Sequence, residues 1–194
     1  MLNRWWLASA LAAVVLVGTA MVLWYQIDRT TMLKSMCEVG LPNFSRPNEI
    51  DADRLGCAIV GPKRTFSGVL VTGFEASNFQ SPDFPSVPGQ QNSEDKRAWF
   101  NCPRTGCGNE FDAQLGHNYV DCPGDDSLLH RGLASIEAEG WVTVSEGAFG
   151  HLGSYPREFF ASRIVRVSPP PQRMVDEWMS VHERYDECDG VPFT

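Results

Sequence analysis

Residues 64–79 read RTFSGVLVTGFEASNF, and this stretch decides the predicted fold of the chain. Its apolar residues are mostly aromatic or β-branched, and they surround Gly68 and Gly73. Glycines inside a strand pattern indicate bulges or tight curvature. We therefore predict a long, strongly curved strand, which is what a small closed barrel needs.

Other segments carry the signals of shorter elements. Residues 141–149 and 157–168 alternate apolar and polar side chains, which predicts two more strands, and 117–123 and 57–60 favour short strands. The segment 125–140, which ends in Gly140, most resembles a helix. Residues 80–98 form a proline-rich polar loop. An apolar stripe at helical spacing predicts a C-terminal amphipathic helix over 172–187, and its members are Met174, Trp178, Val181 and Tyr185.

These elements predict a β-rich α+β domain with a small curved sheet or partly open barrel. Residues 66–75, FSGVLVTGFE, look like the first curved strand of an OB-like fold. This likeness rests on the general pattern of about ten residues. No family is recognised from specific motifs.

The N-terminus predicts a membrane anchor. Residues 5–27 carry no charge, and as a helix they would measure roughly 35 Å against a hydrocarbon core of about 30 Å. Tryptophan or tyrosine stands at each end of this run, where amphipathic rings prefer the membrane interfaces. A cleaved signal peptide processed near Gly18 is the alternative, but the run is longer than a signal core needs.

The anchor divides the chain into four predicted parts. Residues 1–4 form a cytoplasmic head, 5–27 the transmembrane anchor, 28–63 a membrane-proximal connector and 64–194 an extracytoplasmic domain. The basic residues flanking the span are nearly balanced, so the orientation rests on the short head and long tail of a signal-anchor. The predicted location is a single-pass membrane protein with its bulk extracytoplasmic, which is periplasmic if the protein is bacterial.

The net charge of −8 at pH 7 disfavours binding to nucleic acid or to an anionic surface. An acidic surface most often serves solubility alone. The more specific interpretation is that the acidic surface binds a basic protein partner.

Six cysteines follow the anchor, and an oxidising compartment allows them to pair in 15 ways. The six are Cys37, Cys57, Cys102, Cys107, Cys122 and Cys188. Local closure favours Cys102 with Cys107 or with Cys122. The alternative is a zinc site made by Cys102, Cys107, His117 and Cys122, but its spacing is looser than that of a zinc knuckle. We predict disulfides and no metal or other cofactor.

Residues 147–159, GAFGHLGSYPREF, provide the candidate binding residues His151, Tyr155 and Arg157. A turn between two strands explains them structurally, and loops on rigid sheets often carry binding. A histidine near Glu158 could also act as a general base, but no nucleophile is placed with it.

The sequence favours a binding role over an enzymatic one. The predicted function is a membrane-anchored interaction protein of the cell envelope: an accessory subunit of a membrane complex, an assembly factor, or an inhibitor or immunity-type protein. The alternative is an envelope hydrolase or thiol redox enzyme that uses His151 or the pair Cys102 and Cys107.

Overall fold

A computed structural model describes residues 4–73, 76–86, 95–102, 107, 120–121, 132–145 and 147–182. Within them the chain is an α+β protein, as predicted. Its helices and strands are α1 (Arg4–Glu38), α2 (Ala52–Leu55), β1 (Arg64–Gly73), β2 (Ala76–Gln80), β3 (Arg97–Asn101), β4 (Val120–Asp121), β5 (Gly132–Val142), β6 (Glu158–Ser168) and α3 (Gln172–His182).

The strands form one mixed sheet that is partly closed. Strand β1 pairs antiparallel with β2 and with β5, and β2 pairs antiparallel with β3. Strand β6 runs parallel to β3 and antiparallel to β5, while the two-residue β4 pairs with the start of β5. The pairings therefore lead from β1 through β2, β3, β6 and β5 back to β1.

Two glycines allow the sheet to curve this tightly. A Cβ atom on Gly68 would overlap the carbonyl oxygen of Gln80, and one on Gly140 would overlap the carbonyl oxygen of Phe160. The β5–β6 register also shifts twice near Gly140. Glycine removes the side chain at both close approaches, and the register shifts add local bending.

Four sequence predictions for the sheet were wrong. The strand predicted over 141–149 ends at Val142 with β5, and β3 begins within the predicted loop 80–98. The other two concern β1 and β5. Residues 64–79 are not one long strand, because Gly73 pairs with Ala76 and the chain reverses between them. The predicted helix over 125–140 is contradicted from residue 132 onward by β5, in which residues 134–140 alternate between buried and half-exposed, and residues 125–131 lie outside the described residues. The strands predicted at 157–168 and within 117–123 are confirmed as β6 and β4.

The core that the sheet encloses contains a group of packed phenylalanine rings. Neighbouring ring centroids lie 5.1–5.9 Å apart, mostly in tilted or edge-to-face arrangements. This geometry is favourable for aromatic rings, because each positive edge meets a negative face. The rings belong to Phe66, Phe79, Phe84, Phe100 and Phe159.

The predicted connector, 28–63, packs onto the sheet. Buried side chains from residues 50–60 form a second apolar cluster with Trp141 and Phe160. The backbone N–H of Gly61 donates to the carbonyl of Val142 at 2.9 Å, and a bridge joins Val60 to Thr143. The second half of the connector is therefore continuous with the folded domain.

The first helix, α1, displays apolar side chains to solvent. Side chains are described for residues 11–22 and 29–38 of this helix, and Leu11, Val14 and Leu16 are each 70% exposed. In the part of the chain that the structure describes, no helix is both long enough and apolar enough to cross a membrane.

The C-terminal helix, α3, packs on the outside of the sheet. Val175 and Trp178 are buried against Val69 of β1 and Leu133 of β5, with Met174 beside them. The predicted apolar stripe is therefore confirmed at Met174 and Trp178. Tyr185 and the predicted end of the helix at 187 lie outside the described residues, as does the side chain of Val181.

Disulfide bonds join two of the cysteine pairs. Cys37 at the end of α1 bonds Cys57 after α2, and Cys102 bonds Cys107. The second pair is one of the two local closures expected from the sequence. Cys122 and Cys188 lie outside the described residues.

Candidate functional site

The loop between β5 and β6 carries an exposed apolar side chain at its tip. Residues 151–153 form a single 3₁₀ turn, and Leu152 within it is 88% exposed. Leu152 also has φ 52°, a left-handed conformation that costs a residue with a Cβ atom about 1–2 kcal/mol. An unfavourable backbone conformation therefore holds a large apolar side chain in water.

The loop is held against β3 by aromatic packing. The ring of Trp99 meets the ring of Tyr155 edge-on with centroids 5.4 Å apart. Gly150, at φ 68°, lies so close to the Trp99 indole that a Cβ atom would overlap it. Backbone hydrogen bonds between Phe149 and Tyr155 close the base of the loop. Burial raises the pKa of Tyr155, and the nearby Arg97 opposes this shift.

Arg157 lies inside the protein. Its side chain is fully buried, and its guanidinium donates to the carbonyl oxygens of Pro85 at 2.5 Å and Asp95 at 2.6 Å. The same group lies over the ring of Phe84, 5.8 Å from its centroid. Burial lowers the pKa of Arg157, and Asp95 opposes this effect. Arg157 thus fastens Pro85 and Asp95 to the core, and in this structure its guanidinium is not at the surface.

A cavity of about 600 Å³, here called the loop groove, lies beside the loop. It is open to solvent and combines aromatic, cationic and acidic side chains. Described residues that line it include Arg54, Trp99, Asn101, Cys102, His151 and Glu158. His151 and Glu158, which the sequence suggested as a base and its carboxylate, are thus brought to the same cavity.

Among the residues that line the loop groove, Glu158 is unusual because it is an acid that is largely buried. Glu158 as a whole residue is 7% exposed, and Asn101 Nδ2 donates to its Oε1 at 2.9 Å. Arg54 Nη1 donates to Oδ1 of the same amide at 2.7 Å, so Asn101 stands between the cation and the acid. Burial raises the pKa of Glu158, opposed first by the Asn101 hydrogen bond and then by Arg54.

A second cavity of about 520 Å³, the sheet groove, is also lined by Arg54 and Asn101. Its floor is apolar and includes Ile50, Trp141 and Phe160. Its rim holds Glu139 between two cations: Lys63 Nζ lies 3.2 Å from Oε1 and Arg163 Nη2 lies 2.8 Å from Oε2. These cations, Arg163 first, hold the pKa of Glu139 below its usual range.

The candidates of the binding loop separate into two locations. His151 and Tyr155 lie at the loop groove or beside it, whereas Arg157 points into the core. Arg54 and Asn101 were not anticipated, because nothing in the sequence shows that α2 packs beside the end of β3. Glu158 was noted only as a neighbour of His151, and its burial could have been anticipated from its place at the start of an apolar strand.

The alternative zinc site loses two of its ligands in this structure. Cys102 and Cys107 are bonded to each other, so neither offers the thiolate that zinc binds. His117 and Cys122, the other two candidates, lie outside the described residues. Across the described ranges no cluster of three or more histidine, cysteine or acidic side chains could hold a metal ion.

Comparison with known proteins gives no relative on which to base a function. No protein-family model, no curated protein and no solved structure matches the chain.

Proposed function

We propose that this protein is a membrane-anchored binding protein of the cell envelope, which recognises a protein partner through the β5–β6 loop and the loop groove. Residues 5–27 anchor it in the bilayer, and the domain that follows lies outside the cytoplasm. It acts as an accessory subunit, an assembly factor or an inhibitor rather than as an enzyme.

The observation that carries this proposal is the display of Leu152. An isolated exposed leucine is ordinary, but here the backbone also adopts a left-handed conformation that leucine disfavours. The aromatic packing of Trp99 and Tyr155 holds the loop in place. Such outliers cluster at binding and switch regions, where contact with a partner can offset the cost.

The location is supported by separate features. Disulfide bonds persist in oxidising compartments and are rare in the cytosol, and two of them are present in the described residues. The apolar run from Trp5 to Ile27 contains no charge, and its described side chains are exposed, as those of a lipid-facing segment would be.

The domain architecture is compatible with a binding role. We infer an OB-like barrel from the order of pairings, with β1 joined to both β2 and β5 and with β3 parallel to β6. In OB-folds, one face and two of the strand-connecting loops form the ligand surface. The net acidic charge disfavours nucleic acid, so we assign this surface to a protein, and a basic one complements it best.

The test is recovery of a partner by the full chain purified in mild detergent. We compare wild type with Leu152→Asn, because asparagine tolerates the left-handed conformation while removing the apolar side chain. The matched control is Val165→Asn, which removes another exposed apolar side chain, 43% exposed, from β6. Loss of the partner in Leu152→Asn alone supports the proposal. A wild-type protein that purifies without any partner, or equal recovery by both variants, contradicts it.

A second candidate function is thiol redox exchange, favoured by the position of Cys102 in the loop groove. A substrate dithiol would become a disulfide while Cys102–Cys107 becomes two thiols, with two electrons and two protons transferred. Thiol counting after mild reduction of the folded protein tests it. A redox pair is reduced while Cys37–Cys57 stays oxidised, whereas a structural pair resists.

A further inference from the structure

We propose that the loop groove is a receptor site for a cationic side chain, a lysine or arginine of the partner, whose charge is received by the carboxylate of Glu158. This inference rests on the proposed binding function and names the chemistry of the partner. The bound group would lie between Glu158 and the aromatic wall formed by Trp99.

Within the described residues, the carboxylate of Glu158 has an incomplete set of hydrogen-bond and ion-pair partners. Its Oε1 accepts one hydrogen bond from a neutral amide, and within the described residues its Oε2 has neither a hydrogen bond nor an ion pair. An ionised carboxylate can accept several hydrogen bonds through its two oxygens. A buried carboxylate is normally paired, because removing it from water is costly. Glu158 therefore retains the capacity to accept a donor from the groove.

Arg54, the cation that lines the groove among the described residues, donates to Asn101 and not to the acid. The Arg54 guanidinium donates to the Asn101 amide, and that amide in turn donates to Glu158. This relay orients Asn101, and within the described residues the carboxylate has no direct salt bridge. The exposed side chain of Arg54 can move toward water when another cation enters.

The aromatic wall of the groove also favours a cation. Trp99 is half-buried and lines the cavity beside Glu158. A tryptophan ring attracts a lysine or arginine cation through its negative face, and the attraction is stronger where solvent is excluded. An acid and an aromatic face in one cavity suit a cation better than they suit an anion or an apolar chain.

Charge complementarity favours the same ligand at longer range. The chain carries a net charge of −8, so a basic partner is attracted before contact is made. The sheet groove, by contrast, already contains an acid with two cations of its own. The loop groove is thus the better receptor for a basic side chain.

The proposal is tested with short peptides added to the full chain in detergent micelles. The probe is acetyl-Gly-Arg-Gly-amide, whose blocked ends leave the guanidinium as its only charge, and acetyl-Gly-Lys-Gly-amide is its lysine counterpart. The neutral comparison replaces arginine by citrulline, and an acidic comparison replaces it by glutamate. Binding is followed by NMR shifts of the Trp99 indole and the Glu158 side chain.

We expect a cationic probe to bind at least about tenfold more tightly than the citrulline and glutamate peptides, since neither of those can replace the attraction between the carboxylate and a cation. Glu158→Gln should lose at least about tenfold in affinity for the probe. Glu137→Gln removes the same charge from the outer face of β5, where Glu137 lies 3.6 Å from Arg166, and should change affinity less than twofold. Comparable binding of the citrulline peptide, or full binding by Glu158→Gln, overturns the proposal.

A pH series keeps the test valid even if Glu158→Gln fails to fold. The charged or titratable groups that share the groove with Glu158 in the described residues are Arg54 and His151, because Cys102 is in a disulfide. Wild-type affinity should fall as the pH drops through the pKa of Glu158, and should do so in His151→Gln as well. Affinity that is constant with pH contradicts the inference.

This outcome is separable from failure of the broader function. A partner that is lost in Leu152→Asn but retained in Glu158→Gln would leave the binding function in place and remove the cationic receptor. A probe that binds as expected, in a protein that recovers no partner, would leave the receptor site and contradict the binding function.

Discussion

Glu139 and Glu158 are two acids on neighbouring strands, each beside a groove that Arg54 also lines. Glu139 is surrounded by Lys63 and Arg163, and these cations lower its pKa. Among the described residues, the Glu158 carboxylate has one donor, the neutral amide of Asn101, and burial raises its pKa. The fold already balances the charge of Glu139 with two cations, whereas it leaves the charge of Glu158 available. Only an available charge is suited to receiving a ligand.

The loss of the buried charge of Arg157 should have the largest effect on the stability of the fold. We expect Arg157→Leu to lower the free energy of unfolding by about 3 kcal/mol, because the carbonyls of Pro85 and Asp95 lose their donors inside the protein. Chemical denaturation measures the change. Arg163→Leu, an exposed arginine paired with Glu139, is the control and should cost less than about 1 kcal/mol. Equal losses would contradict the structural role of Arg157.

Glu158→Gln should stabilise the protein at neutral pH, by roughly 1–2 kcal/mol, because it removes a buried charge with one neutral partner. A raised folded pKa means that the folded state binds more protons, so stability falls as the pH rises above about 4.5, the ordinary glutamate value. The melting temperatures of wild type and variant should therefore converge below that pH and separate above it. A variant that is less stable than wild type at pH 7.5 contradicts this environment for Glu158.

Leu152→Gly should raise stability by about 1 kcal/mol, since glycine adopts the left-handed conformation without the Cβ penalty. The same change should weaken partner recovery, because the exposed apolar side chain is lost. Thermal melting and detergent co-purification measure the two effects. If stability falls instead, the loop conformation is not a source of strain.

Glu139→Gln should show the opposite pH dependence with the smallest amplitude. The lowered pKa of Glu139 means that its ion pairs stabilise the folded state above about pH 4.5, and that this contribution is lost as the pH falls through the folded value. Because Glu139 lies at the surface, where solvent screens charges, the shift in melting temperature should be slight. The variant should bind the cationic probe normally. A loss of probe binding would show that the two grooves do not act separately.

The sequence predicted β6 but failed at β5 and at β3, whose five residues directly follow a proline-rich polar stretch. Strand β6 was predicted because Ile164 and Val167 alternate with polar residues. In β5, Ala134, Ile136 and Ala138 alternate with Ser135, Glu137 and Glu139, which is also a strand pattern. Alanine and glutamate favour helices, however, and the sheet on both sides overrides that local preference.

The candidate site was predictable only in part, for a related reason. The turn around His151 was visible from its flanking glycines. The approach of Arg54 and Asn101 depends on how α2 folds over the end of β3, and no local pattern encodes that contact. Arg157 was predicted as a binding residue because loops on rigid sheets often carry binding, yet two backbone carbonyls receive its donors inside the protein.

The most direct test of the account is an NMR titration of the Glu158 side-chain carboxyl, in the free protein and with the arginine peptide bound. The account predicts a pKa above about 4.5 in the free protein and a decrease when the guanidinium is bound, since an opposite charge favours ionisation. A pKa at or below that value, unchanged by the peptide, would contradict the claim that Glu158 is an acid left available for a cation.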